Sequence, residues 1–314
     1  MVPMNSSWIG KSIVSIDQFT MDDIGDIMDL TENMRNIVVR RGTCDLLKGQ
    51  ILANLFYEPS TRTASSFMAA MQRLGGTVIP INEVQYSSVS KGETLVDTVR
   101  TLSLYSDCIA LRHHNVGSAA IAAAACSKPI INAGDGIGEH PTQALLDFFT
   151  IVQKFGHNIS GLTVTMLGDL LHGRTVHSLV KLLTMYGVKF NFVSPASLAL
   201  PQHMCDELSG RRVKYSTHTS LDDVLRQSDV IYVTRVQKER FTDEAAYEAV
   251  KDSYCITPKT MSFAKHKMLL MHPFPRINEI SPEIDDDPRA AYWSQIENGM
   301  YVRMALLAMV LGKV

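Results

Sequence analysis

Short apolar runs of strand length alternate with helix-length segments along the whole chain, and this alternation narrows the possible folds more than any single motif. The first series covers residues 51–56, 77–81, 108–111 and 129–132; a second covers 162–167, 189–194, 213–218, 230–234 and 268–272. Continuous apolar strands separated by helices are the pattern of a parallel sheet with both faces covered. The expected fold class is therefore α/β, with two similar domains, each a central parallel sheet flanked by helices. Ala144, Leu145, Phe148, Ile151 and Val152 recur at helical spacing and predict one helix over 141–155, ahead of Gly156-His157-Asn158. The domain boundary is placed on that helix, dividing 1–145 from 146–288. Helical spacing returns at 13–35 and 289–311, and the C-terminal helix, 289–314, is expected to pack back on the first domain, so that helices cross between domains. Residues 119–126, bounded by Gly117 and Lys128-Pro129, are expected to form a buried helix.

Ligands of open parallel sheets bind beyond the carboxyl ends of strands, so the residues after each apolar run are the candidates. The first run leads into Phe56-Tyr57-Glu58-Pro59-Ser60-Thr61-Arg62-Thr63. Ala64, Phe67, Met68, Met71 and Leu74 then mark an amphipathic helix that Gly75-Gly76 stops, which puts Ser60 or Thr61 at its N-cap. A helix start offers unpaired N–H groups and the positive end of the macrodipole, and Arg62 adds a forked donor suited to phosphate. Taken alone, the segment reads equally well as ordinary Ser/Thr capping beside a surface arginine. What favours an anion site is recurrence: Arg112, the stretch Gly134-Asp135-Gly136 through His140-Pro141-Thr142-Gln143, Gly173-Arg174-Thr175, Arg235-Val236-Gln237 and His272-Pro273-Phe274-Pro275-Arg276 all follow apolar runs. These cationic groups are expected to meet in one crevice.

Composition removes several classes. Thirty Lys and Arg against 32 Asp and Glu leave a net charge of −2, so no global field draws the chain to nucleic acid or to an anionic membrane. No apolar stretch is long enough for a membrane span, and no signal peptide opens the chain. Cys44, Cys108, Cys126, Cys205 and Cys255 are scattered without metal-ligand spacing and read as reduced thiols of a cytoplasmic protein. Gly134, Gly136 and Gly138 lack the dinucleotide-binding spacing. Ser88-Val89-Ser90-Lys91 lacks the companion motifs of penicillin-binding enzymes. His113, His114, His172 and His177 have no second ligand cluster, and no phosphate-binding Gly-Lys-Ser/Thr loop supports ATP use.

Over nearly its whole length the chain resembles the transcarbamoylases. The resemblance is carried by the segment 56–63 just quoted, by Lys91-Gly92-Glu93-Thr94, Leu111-Arg112-His113 and Asn132-Ala133-Gly134-Asp135-Gly136, and by His140-Pro141-Thr142-Gln143. In the second half, Gly168-Asp169, Gly173-Arg174-Thr175-Val176-His177-Ser178 and Thr234-Arg235-Val236-Gln237-Lys238-Glu239-Arg240 resemble the motifs of the aspartate-specific members. Ornithine-specific members usually show a cysteine in the late loop, which here is His272-Pro273-Phe274-Pro275-Arg276. The tail from Asn298 to Leu307 is similar to the domain found in eukaryotic multienzyme pyrimidine proteins.

That resemblance implies transfer of the carbamoyl group of carbamoyl phosphate to the amine of L-aspartate, giving N-carbamoyl-L-aspartate and phosphate for pyrimidine synthesis. It implies a carbamoyl phosphate domain (1–145 with 289–314) and an aspartate domain (146–288), and no metal or organic cofactor. Ser60, Thr61, Arg62 and Thr63 would hold the phosphate; Thr63, Arg112 and His140 would polarise the carbonyl oxygen; Gln143 would meet the carbamoyl amine. Arg174, Arg235, Gln237 and Lys91 would bind the two carboxylates of aspartate, with Pro273 and Phe274 completing the pocket and Arg62, Thr63, Lys91, Arg112 and His140 counted as catalytic. The loop with Ser87 and Lys91 would enter a neighbouring subunit's site, implying a homotrimer with shared sites, and Glu58, Arg174 and Arg240 would pair on domain closure. Two departures stand out: Leu171 replaces the usual lysine before His-Gly-Arg-Thr, and His114 stands where a proline commonly follows Leu-Arg-His. Another transcarbamoylase, or a silent fold-mate that senses carbamoyl phosphate, remains the rival reading.

Overall fold

In a computed structural model, which describes residues 6–81 and 91–313, the chain divides into two compact units. The first contains Met1–Leu146 and Glu297–Val314, the second Asp147–Ile296.

In the first unit α1 (Met21–Arg41) precedes β1 (Ile51–Phe56), α2 (Thr61–Arg73), β2 (Thr77–Ile81), α3 (Leu95–Ser103), β3 (Cys108–His113), α4 (Ser118–Ala125) and β4 (Ile130–Asp135). The strands are parallel in the order β2-β1-β3-β4, with Leu52 opposite Cys108 and Phe56 opposite Arg112. Pro80, which cannot donate to a ladder, lies on the edge strand β2, where it is tolerated. Ala53, Leu55, Ile109, Leu111 and Ile130 form a fully buried cluster on one face. Each large aliphatic side chain so buried contributes about 1.5–3 kcal/mol of hydrophobic stabilisation.

The second unit holds β5 (Thr163–Leu167), α6 (Arg174–Leu183), β6 (Lys189–Val193), α7 (Gln202–Gly210), β7 (Tyr215–His218), β8 (Val230–Val233), α8 (Glu244–Glu248), α9 (Pro258–Phe263) and β9 (Leu269–Met271). Its strands are also parallel, ordered β7-β6-β5-β8-β9. Both sheets are thus wound outward from a central pair, β1 with β3 and β5 with β8. The carboxyl ends of such a pair form the crevice that ligands use in this architecture.

Two helices belong to both units, α5 (Pro141–Phe155) and α10 (Tyr292–Val310). Residues 141–152 of the former and 301–310 of the latter are buried on every side, as expected of helices that are apolar all round. No helix among the described residues is long and apolar enough to cross a membrane.

The structure differs from the sequence reading at several element bounds, among them the first helix, which begins at Met21 instead of 13 and runs to Arg41. Strands β3 and β4 run on through Arg112-His113 and Ala133-Gly134-Asp135, so Arg112 lies in the sheet instead of after it. Helix α4 is buried on one face only, with Ala120, Ile121 and Ala124 exposed, because alanines are small enough to leave the outer face in solvent without a large apolar penalty.

Candidate active site

The first unit presents its candidates where β1 and β3 end. Ser60 is the N-cap of α2, extended at φ −155°, and its hydroxyl accepts the Thr63 N–H at 3.3 Å. Thr61 and Arg62 are exposed beside it, while Thr63 turns inward and is buried. The side-chain amide of Asn54, in the middle of β1, donates to the Ala64 carbonyl at 3.3 Å and ties the helix start to the sheet. Arg112, opposite Phe56 in register, lies beside this turn: its carbonyl accepts the Tyr57 N–H at 2.8 Å. The Arg112 guanidinium places Nη2 3.3 Å from Glu58 and donates through Nη1 to the Ala133 carbonyl at 3.5 Å.

His140 is buried just ahead of α5, with Nδ1 3.5 Å from the Thr142 hydroxyl, and its carbonyl accepts the Gln143 N–H at 2.9 Å. Arg303, buried on α10, donates to that same Thr142 hydroxyl at 3.3 Å and stacks its guanidinium over Phe67 of α2 at 5.1 Å. Gly299 makes room for it, since a Cβ there would stand 2.6 Å from Arg303 Nη1. Asn54 has no motif to mark it, while Thr142 and Arg303 lie in the quoted segments His140-Pro141-Thr142-Gln143 and Asn298 to Leu307 without a role assigned there. The available signal for Arg303 was one guanidinium inside the otherwise apolar stretch 300–311.

Asp135, the last residue of β4, and Gly136 shape the loops beside that strand end. Asp135 accepts the Gly117 and Glu139 N–H groups, each at 2.8 Å, and Gly136 has φ +55° with the His114 carbonyl 2.5 Å from any Cβ. His113 Nδ1 accepts the Asn115 N–H at 3.0 Å, and burial pushes its pKa down. His114 stacks on it at 4.2 Å, giving the loop beyond Arg112 a packed ring. Lys91 is exposed at the edge of the described residues, and Ser87 lies outside them.

The second unit gathers its candidates where β5 and β8 end. Gly168, at φ +117°, lets these strands close up: a Cβ there would fall 2.1 Å from the Thr234 carbonyl oxygen. Asp169, fully buried, accepts the His172 N–H at 3.0 Å and the Gln237 N–H at 3.4 Å, while the Gln237 side chain donates to the His172 carbonyl at 3.2 Å. The loops carrying Arg174 and Arg235-Val236-Gln237 are therefore fastened together. Arg174 opens α6 at its positive end, behind Gly173. Arg235 forks onto Glu239, with Nη1 to Oε2 at 3.0 Å and a second contact from Nη2 to Oε1. Burial works against ionisation of Glu239, yet that fork holds its carboxyl below the usual range. Arg240 Nε is buried without a hydrogen-bond partner. Arg276 is committed to Asp285.

Pro273 and Phe274 form the turn after β9, with Phe274 at φ +56° and a cis bond to Pro275. Prolines carry no N–H, and the Phe274 N–H already donates to His272 Nδ1 at 2.8 Å. This turn can therefore offer a ligand only carbonyl oxygens, which suit an amine.

Two family models cover most of the chain. Residues 11–153 match "Aspartate/ornithine carbamoyltransferase, carbamoyl-P binding domain", and residues 160–310 match the "Asp/Orn binding domain" of the same family. The chain belongs to the aspartate/ornithine carbamoyltransferase family. Within that family it is 49% identical over 302 residues to the aspartate carbamoyltransferase catalytic subunit of Thermoplasma volcanium, covering 96% of this chain and 98% of that one. It is 54% identical over 308 residues to the multifunctional protein pyr1-3 of Dictyostelium discoideum, where the match covers 98% of this chain but spans only 14% of the relative's length. Among solved carbamoyltransferases, the aspartate transcarbamoylase of Trypanosoma cruzi in complex with carbamoyl phosphate and aspartate superposes with a TM-score of 0.93 at 44% identity, covering 99% of this chain and 100% of that one.

Proposed function

We propose that this chain is an aspartate carbamoyltransferase, joining the carbamoyl group of carbamoyl phosphate to the amine of L-aspartate. The observation that carries the reading is the placement of Ser60–Thr63 and Arg112 at the central strand pair of the first sheet, with Arg174, Arg235 and Gln237 at that of the second. In this reading the phosphate docks at the start of α2, on Ser60, Thr61, Arg62 and Thr63, where backbone donors and the guanidinium complement its charge. The carbamoyl oxygen receives hydrogen bonds from Thr63, Arg112 and His140, and Gln143 accepts from the carbamoyl NH2. Arg174, Arg235, Gln237 and Lys91 take the carboxylates of aspartate, and the carbonyls around Pro273 and Phe274 face its amine.

The neutral amine attacks the carbonyl carbon, and negative charge collects on the oxygen that Thr63, Arg112 and His140 are placed to stabilise. The C–O bond to phosphate then breaks, phosphate departs with the electron pair, and the amine's proton passes to it. Positioning and charge stabilisation carry the reaction, so the scheme needs no metal or organic cofactor. Glu58 pairs with Arg112 at 3.3 Å. On closure it exchanges that partner for Arg174 and Arg240, which leaves Arg112 to the carbonyl oxygen.

We take the first compact unit, Met1–Leu146 with Glu297–Val314, as the carbamoyl phosphate domain expected over 1–145 and 289–314, and the second, Asp147–Ile296, as the aspartate domain expected over 146–288. The active form is a homotrimer in which the loop bearing Ser87 and Lys91 completes a neighbour's site, and it works in the cytoplasm, where its free thiols stay reduced. Purified protein should form carbamoyl-aspartate, with a native mass of three chains. Mixing inactive Lys91→Ala with inactive Arg62→Ala should restore part of the activity. Mixed trimers that stay inactive would remove the shared site, and absence of carbamoyl-aspartate from active preparations would remove the reaction.

A further inference from the structure

The second unit contains a line of buried polar groups that the reaction scheme does not use. Tyr232 on β8, fully buried, donates its hydroxyl to Asp147 Oδ2 at 2.8 Å. Gln295 on α10 donates its amide to Asp147 Oδ1 at 2.6 Å, and its carbonyl oxygen accepts the backbone N–H of His272 at 2.9 Å. The His272 ring, with no exposed surface, reaches Glu279 Oε1 through Nε2 at 2.6 Å. Glu279 Oε2 accepts the N–H groups of Ile277 and Asn278 at 3.2 and 3.1 Å. Because His272 Nδ1 accepts the Phe274 N–H, the ring proton sits on Nε2 and points at Glu279. The line therefore runs unbroken from Asp147 on α5 to both ends of the Pro273–Phe274 turn.

Two features show that it does more than fill space. Apolar side chains of similar volume would stabilise such a core at least as well, so what buried polar partners add is one fixed geometry. The turn they grip is also one that would not hold itself, since Phe274 has a positive φ, a strained conformation for a residue with a Cβ. We infer that Asp147, Gln295 and His272, with Tyr232 and Glu279, are positioning residues that fix the 272–276 turn in the shape that receives the attacking amine, without touching substrate themselves. The inference rests on the carbamoyl-transfer reading of the same site.

Steady-state kinetics on the full-length protein test it. Gln295→Leu removes a donor and an acceptor together, and the aspartate KM should rise about tenfold while the carbamoyl phosphate KM stays within about twofold. The exchange Asp147→Asn with Gln295→Glu keeps the three hydrogen bonds of this stretch: the introduced amide donates to the introduced carboxylate, which still accepts from His272, and the amide oxygen still accepts from Tyr232. That double variant should return to within about threefold of the unmodified protein, although each single change is worse. Tyr232→Phe, which deletes only a hydroxyl, should raise the aspartate KM about threefold and serves if Gln295→Leu does not fold. Folded variants with an unchanged aspartate KM, equal losses for both substrates, or a double variant no better than its singles would each overturn the inference. If the unmodified protein forms no carbamoyl-aspartate, the functional reading fails first and takes this inference with it. Normal turnover beside unmoved variants defeats the inference alone.

Discussion

The two units share a winding of parallel strands but hold their cationic groups in different ways. In the first, the proposed phosphate site is the start of α2, whose backbone N–H groups are held in place by the Ser60 cap and by the Asn54 amide that ties the helix to β1. In the second, Arg235 is clasped by a carboxylate of its own chain, Glu239, which a substrate carboxylate would displace if Arg235 binds aspartate as proposed. Arg112 in the first unit resembles the second in this respect, engaged by Glu58. In the proposed scheme the helix terminus gives standing affinity for phosphate, whereas the forked arginine pairs give affinity that appears as an internal partner is released.

The largest expected effect is on the group proposed to polarise the carbonyl. Arg112→Leu should lower kcat by about 10²–10³-fold, the usual loss on removing one oxyanion donor, with a smaller change in aspartate KM. A decrease in binding of both substrates without loss of kcat would move Arg112 out of that role. Gly168→Ala forces a side chain to within 2.1 Å of the Thr234 carbonyl oxygen at a positive φ. It should destabilise the protein by about 3 kcal/mol, read as a drop in denaturant midpoint, with the second unit melting first in hydrogen exchange. Arg235→Ala comes next, raising aspartate KM by about tenfold or more for the loss of a charge-assisted fork and leaving carbamoyl phosphate KM nearly unmoved. Equal loss of both would erase the contrast between the units.

Glu239→Gln sharpens the contrast from the other side. By releasing Arg235 it should lower the aspartate KM, but only about two- to threefold, because a half-exposed pair is worth less than about 1 kcal/mol. The smallest effect is a pH dependence of stability at Glu279. Burial opposes its ionisation, yet hydrogen bonds from His272 and the local backbone hold its carboxyl below the usual value of 4.5. With the folded-state pKa depressed, its contribution is complete above the unfolded value and is lost as pH falls through the folded one. Glu279→Gln should therefore flatten the acid limb of a Tm-against-pH curve and change little at neutral pH.

Much of this was legible in the sequence because it depends on periodicity. The apolar run 51–56 and the helix 141–155 have the bounds that alternation and helical spacing indicate. The capping hydroxyl before α2 and the charged residues after β5 and β8 follow from strand ends and turn chemistry. The extensions of β3 and β4 escaped notice because Arg112, His113, Gly134 and Asp135 have poor strand propensity, which pairing in the sheet overrides. Asp147, Gln295 and Arg303 escaped for a related reason. Single polar residues on helices that are mostly buried leave no periodic mark, and their partners, Tyr232, His272 and Thr142, are remote in sequence. Asp169 was visible as part of a motif, but its work of fastening two loops shows only in three dimensions.

The most direct measurement gives the purified protein carbon-labelled carbamoyl phosphate with equal concentrations of L-aspartate and L-ornithine, and follows the label by nuclear magnetic resonance. The account expects the label to move into N-carbamoyl-L-aspartate with stoichiometric release of phosphate. Label accumulating in the ornithine product, or carbamoyl phosphate decomposing no faster than in buffer, would contradict it.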